Sequence, residues 1–149
     1  MQPIVDHIHI TCYDLGRAEA FYDRFLPLLG FDLRYKERDQ DPAHDYRLVE
    51  YGSAALSVGL VSRRSGCPEG VNRRRAGSLH HLAFRVPERA DVDRLYHQVR
   101  ALGARVLHPP RLYPQYCPDY YAFFFKDSEG TELEIVAFDR PSYFTLTKM

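Results

Sequence analysis

Long apolar runs, clustered cysteines and a surplus of either charge are all missing from this sequence. No apolar segment approaches the roughly 18 residues needed to span a bilayer, so no membrane association is expected. Twenty Lys and Arg residues cancel twenty Asp and Glu residues. The basic excess of a nucleic-acid binder is therefore absent. Cys12, Cys67 and Cys117 are odd in number and follow no CxxC spacing. That speaks against a disulfide framework or zinc knuckle and for a reducing, cytoplasmic setting. The N-terminus runs from Met1 into a strand-like segment without the basic stretch and apolar run of a secretory leader. No GxSxG elbow, P-loop or dinucleotide-type glycine pattern occurs, which leaves those chemistries unsupported.

What is present is a strand motif that occurs twice. Asp6-His7-Ile8-His9-Ile10-Thr11-Cys12 and His80-His81-Leu82-Ala83-Phe84-Arg85-Val86 both alternate apolar with polar residues. Gly130-Thr131-Glu132-Leu133-Glu134-Ile135-Val136 does the same near the C-terminus. Neighbouring side chains of a strand point to opposite faces. Ile8, Ile10 and Cys12 therefore share one face, as do Leu82, Phe84 and Val86, while His7, His9, His81, Arg85, Glu132 and Glu134 take the other. His80 is expected on the face opposite His81, and Glu132 at the rim. Two imidazoles and a carboxylate, His7, His81 and Glu134, suit one divalent ion (Zn, Ni, Mn, Co or Fe(II)) with positions left open for substrate.

The order of elements repeats as well. Asp14 caps a helix with apolar positions at Ala18, Phe21, Tyr22, Phe25, Leu28 and Leu29, closed by Gly30. Phe31–Tyr35 reads as a strand, Glu37–His44 as a polar loop, and Tyr46–Tyr51 and Ala54–Val61 as strands joined at Gly52-Ser53. In the second half a strand at His81–Val86 precedes a helix opened by Asp91, with Val92, Leu95, Tyr96, Val99 and Leu102 on one side and Gly103 at its end. A strand at Ala104–Leu107, a loop at Pro109–Pro118 and strands at Tyr120–Lys126 and Thr131–Phe138 complete it. An offset of 74 lays His7 on His81. The pattern predicts an α+β fold of two tandem βαβββ modules. Module 1 covers about 4–61, an arginine- and glycine-rich linker 62–79, module 2 about 80–138 and a tail 139–149. The strands are expected to form an eight-stranded, mixed, open-barrel-like sheet around a metal-lined concavity.

These stretches make the chain resemble the vicinal oxygen chelate superfamily, which includes glyoxalase I, extradiol dioxygenases, fosfomycin-resistance transferases and bleomycin-sequestering proteins. His7 followed by Asp14-Leu15 and Ala20-Phe21-Tyr22, the His80–Val86 strand, and Tyr120–Gly130 with Leu133-Glu134-Ile135 carry the likeness. The resemblance implies metal ligands at His7, His81 and Glu134. It also implies a fourth position in Leu56-Ser57-Val58, aligned with Leu133-Glu134-Ile135, where glyoxalase I has a carboxylate or amide and this chain has Ser57. Ten residues before the metal glutamate, dioxygenases and fosfomycin transferases usually place a tyrosine; Phe124 stands here, closer to glyoxalase I. Tyr120 should face the cavity with Phe124. Tyr116 and Tyr113 lie in a loop able to close over a ligand, and one linker arginine could clamp an anion.

The expected activity is that of a glyoxalase-like lyase or isomerase acting on a small substrate through vicinal oxygens. Glu134 or His9 would serve as base, and Tyr120, Phe124, Ser57, Arg85 and Tyr116 would contact substrate. An extradiol dioxygenase, a fosfomycin-type thiol transferase and a non-catalytic sequestering protein are the alternatives. A homodimer is expected.

Overall fold

A computed structural model describes residues 1, 3–68, 70 and 72–146. The chain divides into two compact units, Met1–Val71 and Asn72–Met149. The first contains β1 (His7–Cys12), α1 (Leu15–Phe25), β2 (Lys36–Asp41), β3 (Tyr46–Tyr51) and β4 (Ser57–Ser62). The second contains β5 (Leu82–Arg85), α2 (Arg89–Ala101), β6 (Arg105–Leu112), β7 (Tyr121–Lys126), β8 (Glu132–Ala137) and α3 (Arg140–Leu146). Each unit is a four-stranded mixed sheet, ordered β1-β4-β3-β2 in one and β5-β8-β7-β6 in the other. The α+β fold of two βαβββ modules is thus present. Among the described residues no helix is long and apolar enough to cross a membrane.

Local sequence explains the helices. Asp14 accepts a hydrogen bond from the Arg17 amide and caps α1, satisfying a donor the helix cannot. Beyond Phe25 the chain tightens into a 3-10 turn, Leu26–Leu29, and leaves it through Gly30 at φ 89°. Glu88 and Asp91 form a reciprocal capping box on α2, so that helix starts two residues earlier than Asp91 suggests. Helix α1 packs on β4, and α2 on β6, β7 and β8. Tyr22, Phe25, Val58 and Leu60 fill the first core, and Leu95, Phe123, Phe125, Leu133 and Ile135 the second. Full burial of each Leu, Ile or Phe contributes about 1.5–3 kcal/mol.

Several expectations need correction. Phe31–Tyr35 is not a strand: Asp32 accepts from the Arg34 amide and caps a 3-10 turn at Leu33–Tyr35. Most of the expected loop Glu37–His44 is strand β2, mostly exposed and held by antiparallel pairing with β3, followed by a 3-10 turn at Pro42–His44. Strand β4 begins at Ser57, because the Ser53 hydroxyl both donates to the Leu56 carbonyl and accepts from its amide, fixing a longer turn. Strand β6 runs through Pro109-Pro110 to Leu112; it is an edge strand with shifted register, the place in a sheet where proline is tolerated. The tail contains α3, and residues 147–149 lie outside the described part, as do residues 69 and 71 of the linker.

Candidate functional site

In the second unit, β5, β8 and β7 bring a carboxylate, an imidazole and a group of rings around a cavity of about 530 Å³. Glu134 sits on β8, opposite Ala83 of β5 and Phe124 of β7, and is only 2 % exposed. Tyr120 donates its hydroxyl to Glu134 Oε1 in a short hydrogen bond. The other oxygen, Oε2, lies 3.3 Å from His81 Nε2. Burial raises the Glu134 carboxyl above the usual range; Tyr120 and His81 pull it back in part, while the neighbouring Glu132 adds to the rise. The Tyr120 hydroxyl is likewise raised, by burial first and then by its bond to Glu134.

The far nitrogen of His81 is also occupied: its Nδ1 lies 2.8 Å from His80 Nδ1. Both histidines line the cavity, so His80 does not take the opposite face. Strand β5 begins only at Leu82, and strict alternation does not extend to the residues before it. Glu132 is not a rim residue either. It is 7 % exposed and ion-paired with Arg73 of the linker, which brings the linker to the cavity wall. Desolvation and the charge on Arg73 hold His80 below its ordinary value.

In the first unit, Asp6 Oδ2 meets His7 Nδ1 at 2.8 Å, leaving Nε2 as the nitrogen open to a ligand. This hydrogen bond is the main reason His7 titrates above its ordinary value. His9 Nε2 meets Glu50 Oε2 at 2.7 Å, and the His7 and His9 ring centroids are 5.0 Å apart. The space for the His9 ring comes from Gly59, where an added Cβ would lie 2.3 Å from His9 Cδ2.

Sheet register corrects one alignment. His7 pairs with Ser57 and His9 with Gly59, whereas Ala83 pairs with Glu134. Phe124 pairs with Glu134, and Glu50 with Gly59. The repeat equivalent of Glu134 is therefore Gly59, and Ser57 corresponds to Glu132. Where the second unit has a small Ala83 beside a glutamate, the first has a glycine beside a histidine, with its acid moved one strand over to Glu50.

Of the residues singled out from sequence, His81, Glu134, Tyr120, Phe124 and Tyr116 line one cavity. Arg85 lines a different one, of about 350 Å³, with Arg89 and Asp119. His7, His9 and Ser57 belong to the first unit. Sequence reading missed the Arg73–Glu132 pair, which no local pattern encodes, and His108 and Arg111, which also line the cavity. The last two were placed beyond the expected end of their strand.

Among the described residues no three His, Cys, Asp or Glu side chains gather at one point. The convergence is a pair, His81 with Glu134, and its chemistry fits two donors of one divalent ion. Metal bonds of about 2.1 Å at right to tetrahedral angles put neighbouring donors about 3.0–3.4 Å apart. Tyr120 and His80 brace the two donors from behind, as outer partners of metal ligands do.

Comparison with known proteins agrees with this architecture. The family model of the Glyoxalase/Bleomycin resistance protein/Dioxygenase superfamily matches residues 4–135. An uncharacterized protein of Bacillus subtilis (strain 168), YqjT, is 28% identical over 132 residues, covering 88% of this chain and 96% of its own. A glyoxylase/bleomycin resistance protein/dioxygenase domain from Frankia sp. EAN1pec has the same fold, with a TM-score of 0.76 and 21% identity over 93% of this chain and 100% of that one. The fosfomycin resistance protein FosX from Listeria monocytogenes shares it at a TM-score of 0.63 and 19% identity, over 95% and 98% of the two chains.

Proposed function

The chain belongs to the Glyoxalase/Bleomycin resistance protein/Dioxygenase superfamily, and we propose that it is a metal-dependent, glyoxalase-like enzyme, a lyase or isomerase acting on a small substrate with oxygens on adjacent atoms. The observation that carries this reading is the buried Glu134 carboxylate facing His81 Nε2 at 3.3 Å in a ring-lined cavity. Burying an acid without a compensating cation is unfavourable, and a bound divalent ion would offset that cost.

His81 and Glu134 would hold the ion; His7, which repeats His81 and keeps its Nε2 open, is a further proposed metal donor. A bound Zn, Ni, Mn, Co or Fe(II) ion would supply Lewis acidity toward the substrate oxygens. The chain's own groups do the rest. Glu134, buried at the head of the cavity, is the proposed base that takes a proton from a carbon next to a carbonyl. Tyr120 fixes the orientation of that carboxylate through Oε1. Phe124 and Tyr116 add apolar wall against which a substrate excludes water. His9, held by Glu50, is the proposed second proton carrier, and a homodimer the proposed working form.

Calorimetric titration of chelator-treated protein with Zn, Mn and Ni tests the assignment. About one ion per chain should bind, and Glu134→Gln should weaken binding at least tenfold with an equal or higher Tm for the metal-free protein. Absence of binding, or binding unchanged in Glu134→Gln, would remove the enzymatic reading in favour of a sequestering protein. Isomerisation of the methylglyoxal–glutathione hemithioacetal supports the lyase class; oxygen uptake with catechols would replace it by a dioxygenase.

A further inference from the structure

Two register shifts in β6 bring together cavity residues that strand alternation would separate. Val106 pairs with Phe125, His108 with Phe124 and Arg111 with Ala122. From His108 to Arg111 the edge strand advances three residues while β7 advances two. Three steps along a regular strand reverse the face; the extra residue of a β-bulge cancels that reversal. His108 and Arg111 therefore stand on the same face as their partners Phe124 and Ala122, and both line the cavity of about 530 Å³. Pro109 and Pro110, which lack the N–H that a regular ladder needs, fill the interval. Bulges often re-aim side chains beside functional sites. Both residues are exposed, so a molecule in the cavity can reach them.

Arg111 is held ready for a ligand. Its guanidinium lies 4.5 Å from the centroid of the Tyr113 ring. That ring is itself fixed, stacked on Tyr116 at 5.7 Å and edge-on to Phe124 at 5.5 Å. A guanidinium lying on an aromatic ring keeps its N–H groups available for a planar oxyanion. Arg73, the other guanidinium on the cavity wall, is neutralised by Glu132. Arg111 has no carboxylate partner among the described residues. His108 meets Phe124 edge-on at 6.0 Å, and its ring nitrogens have no hydrogen-bond partner among the described residues.

Register also sets the separation from Glu134. His108, Phe124 and Glu134 form one row across β6, β7 and β8. Neighbouring strands stand about 4.8 Å apart, so the row places His108 about 10 Å from Glu134 with Phe124 between them. We infer that the substrate carries a carboxylate at the end remote from its reacting oxygens, and that Arg111 and His108 recognise it. The inference names a substrate class for the cavity read above as a substrate site and rests on that reading. Arg111 donates two parallel N–H bonds to the carboxylate, His108 adds a ring N–H, and the apolar middle of the molecule lies over Phe124.

3-Phenylpropionate and its uncharged alcohol, 3-phenylpropan-1-ol, are the probes, titrated calorimetrically into protein freed of metal by EDTA. The acid should bind saturably and the alcohol about tenfold more weakly. Arg111→Gln should weaken the acid about tenfold and His108→Gln about fivefold, while both bind the alcohol like the parent. Arg105→Gln, changed at an exposed position of the same strand outside the cavity, should bind the acid like the parent. The proposal is overturned if the acid does not bind, if the alcohol binds as well, or if Arg111→Gln or His108→Gln binds the acid like the parent. An equal loss in Arg105→Gln would overturn it too, by showing attraction to surface charge alone. The comparison of acid with alcohol needs no variant. Zinc titration of the same proteins separates the two readings. Normal zinc binding without Arg111-dependent binding of the acid defeats this inference alone, and the converse defeats only the metal-enzyme assignment.

Discussion

Replacing Gly59 with alanine should have opposite effects on stability depending on whether His9 is present. The glycine lies within β4 and outside the left-handed region, so alanine fits the backbone and would stabilise by about 0.5–1 kcal/mol through a less flexible unfolded chain. The new Cβ, however, would lie 2.3 Å from His9 Cδ2 and 2.7 Å from Nε2. The ring must swing away, breaking its 2.7 Å bond to Glu50. A half-exposed pair of this kind contributes about 0.5–1 kcal/mol, and residual crowding costs about 1–2 kcal/mol more. The net expectation is a loss of about 1 kcal/mol in the parent. In a His9→Ala background the obstruction is gone, and Gly59→Ala should stabilise by about 0.5–1 kcal/mol. The coupling of about 1.5–2 kcal/mol is readable from a urea-unfolding double-mutant cycle. Equal effects of Gly59→Ala in both backgrounds would refute the claim that this glycine exists to seat the His9 ring.

Two further outcomes are expected. Tyr120→Phe removes the donor to a carboxylate that is 2 % exposed, and should destabilise the protein by about 1–3 kcal/mol at neutral pH; a change below about 0.3 kcal/mol in chemical unfolding would contradict the hydrogen bond. Tyr51 is raised well above the ordinary tyrosine range, by burial first and then by its bond to Asp23. A folded-state value above the unfolded one, about 10, means that its contribution is complete below that pH and lost as pH rises. Stability against pH should therefore fall above about pH 10 in the parent and less steeply in Tyr51→Phe.

The parts of the fold legible in sequence were those where one face of an element is buried. Ile10 and Cys12 alternate with exposed His7, His9 and Thr11 along β1, and a duplicated pattern doubled that signal. Strand β2, Lys-Glu-Arg-Asp-Gln-Asp, has nothing to alternate: it is an edge held by backbone pairing to β3, and its composition reads as loop. The register of β4 was illegible for a related reason. Val58 and Leu60 reveal which face is buried, but only the pairing of His9 with Gly59 shows that the glycine, and not Ser57, holds the place of Glu134. Within the site, His81 was visible because it repeats His7, and Glu134 because it alternates with Leu133 and Ile135 along its strand. Arg73 was hidden in a linker whose five arginines look alike until one of them meets Glu132.

The interred acid of β8 has an evolutionary corollary. An ionised Glu134 is a standing burden on the empty protein, and glutamine, a single base change away, would retain an acceptor for Tyr120 while discarding the charge. Drift under selection for foldedness alone thus leads downhill toward glutamine, and a descendant carrying it would keep the ring-lined hollow and lose the acid within it.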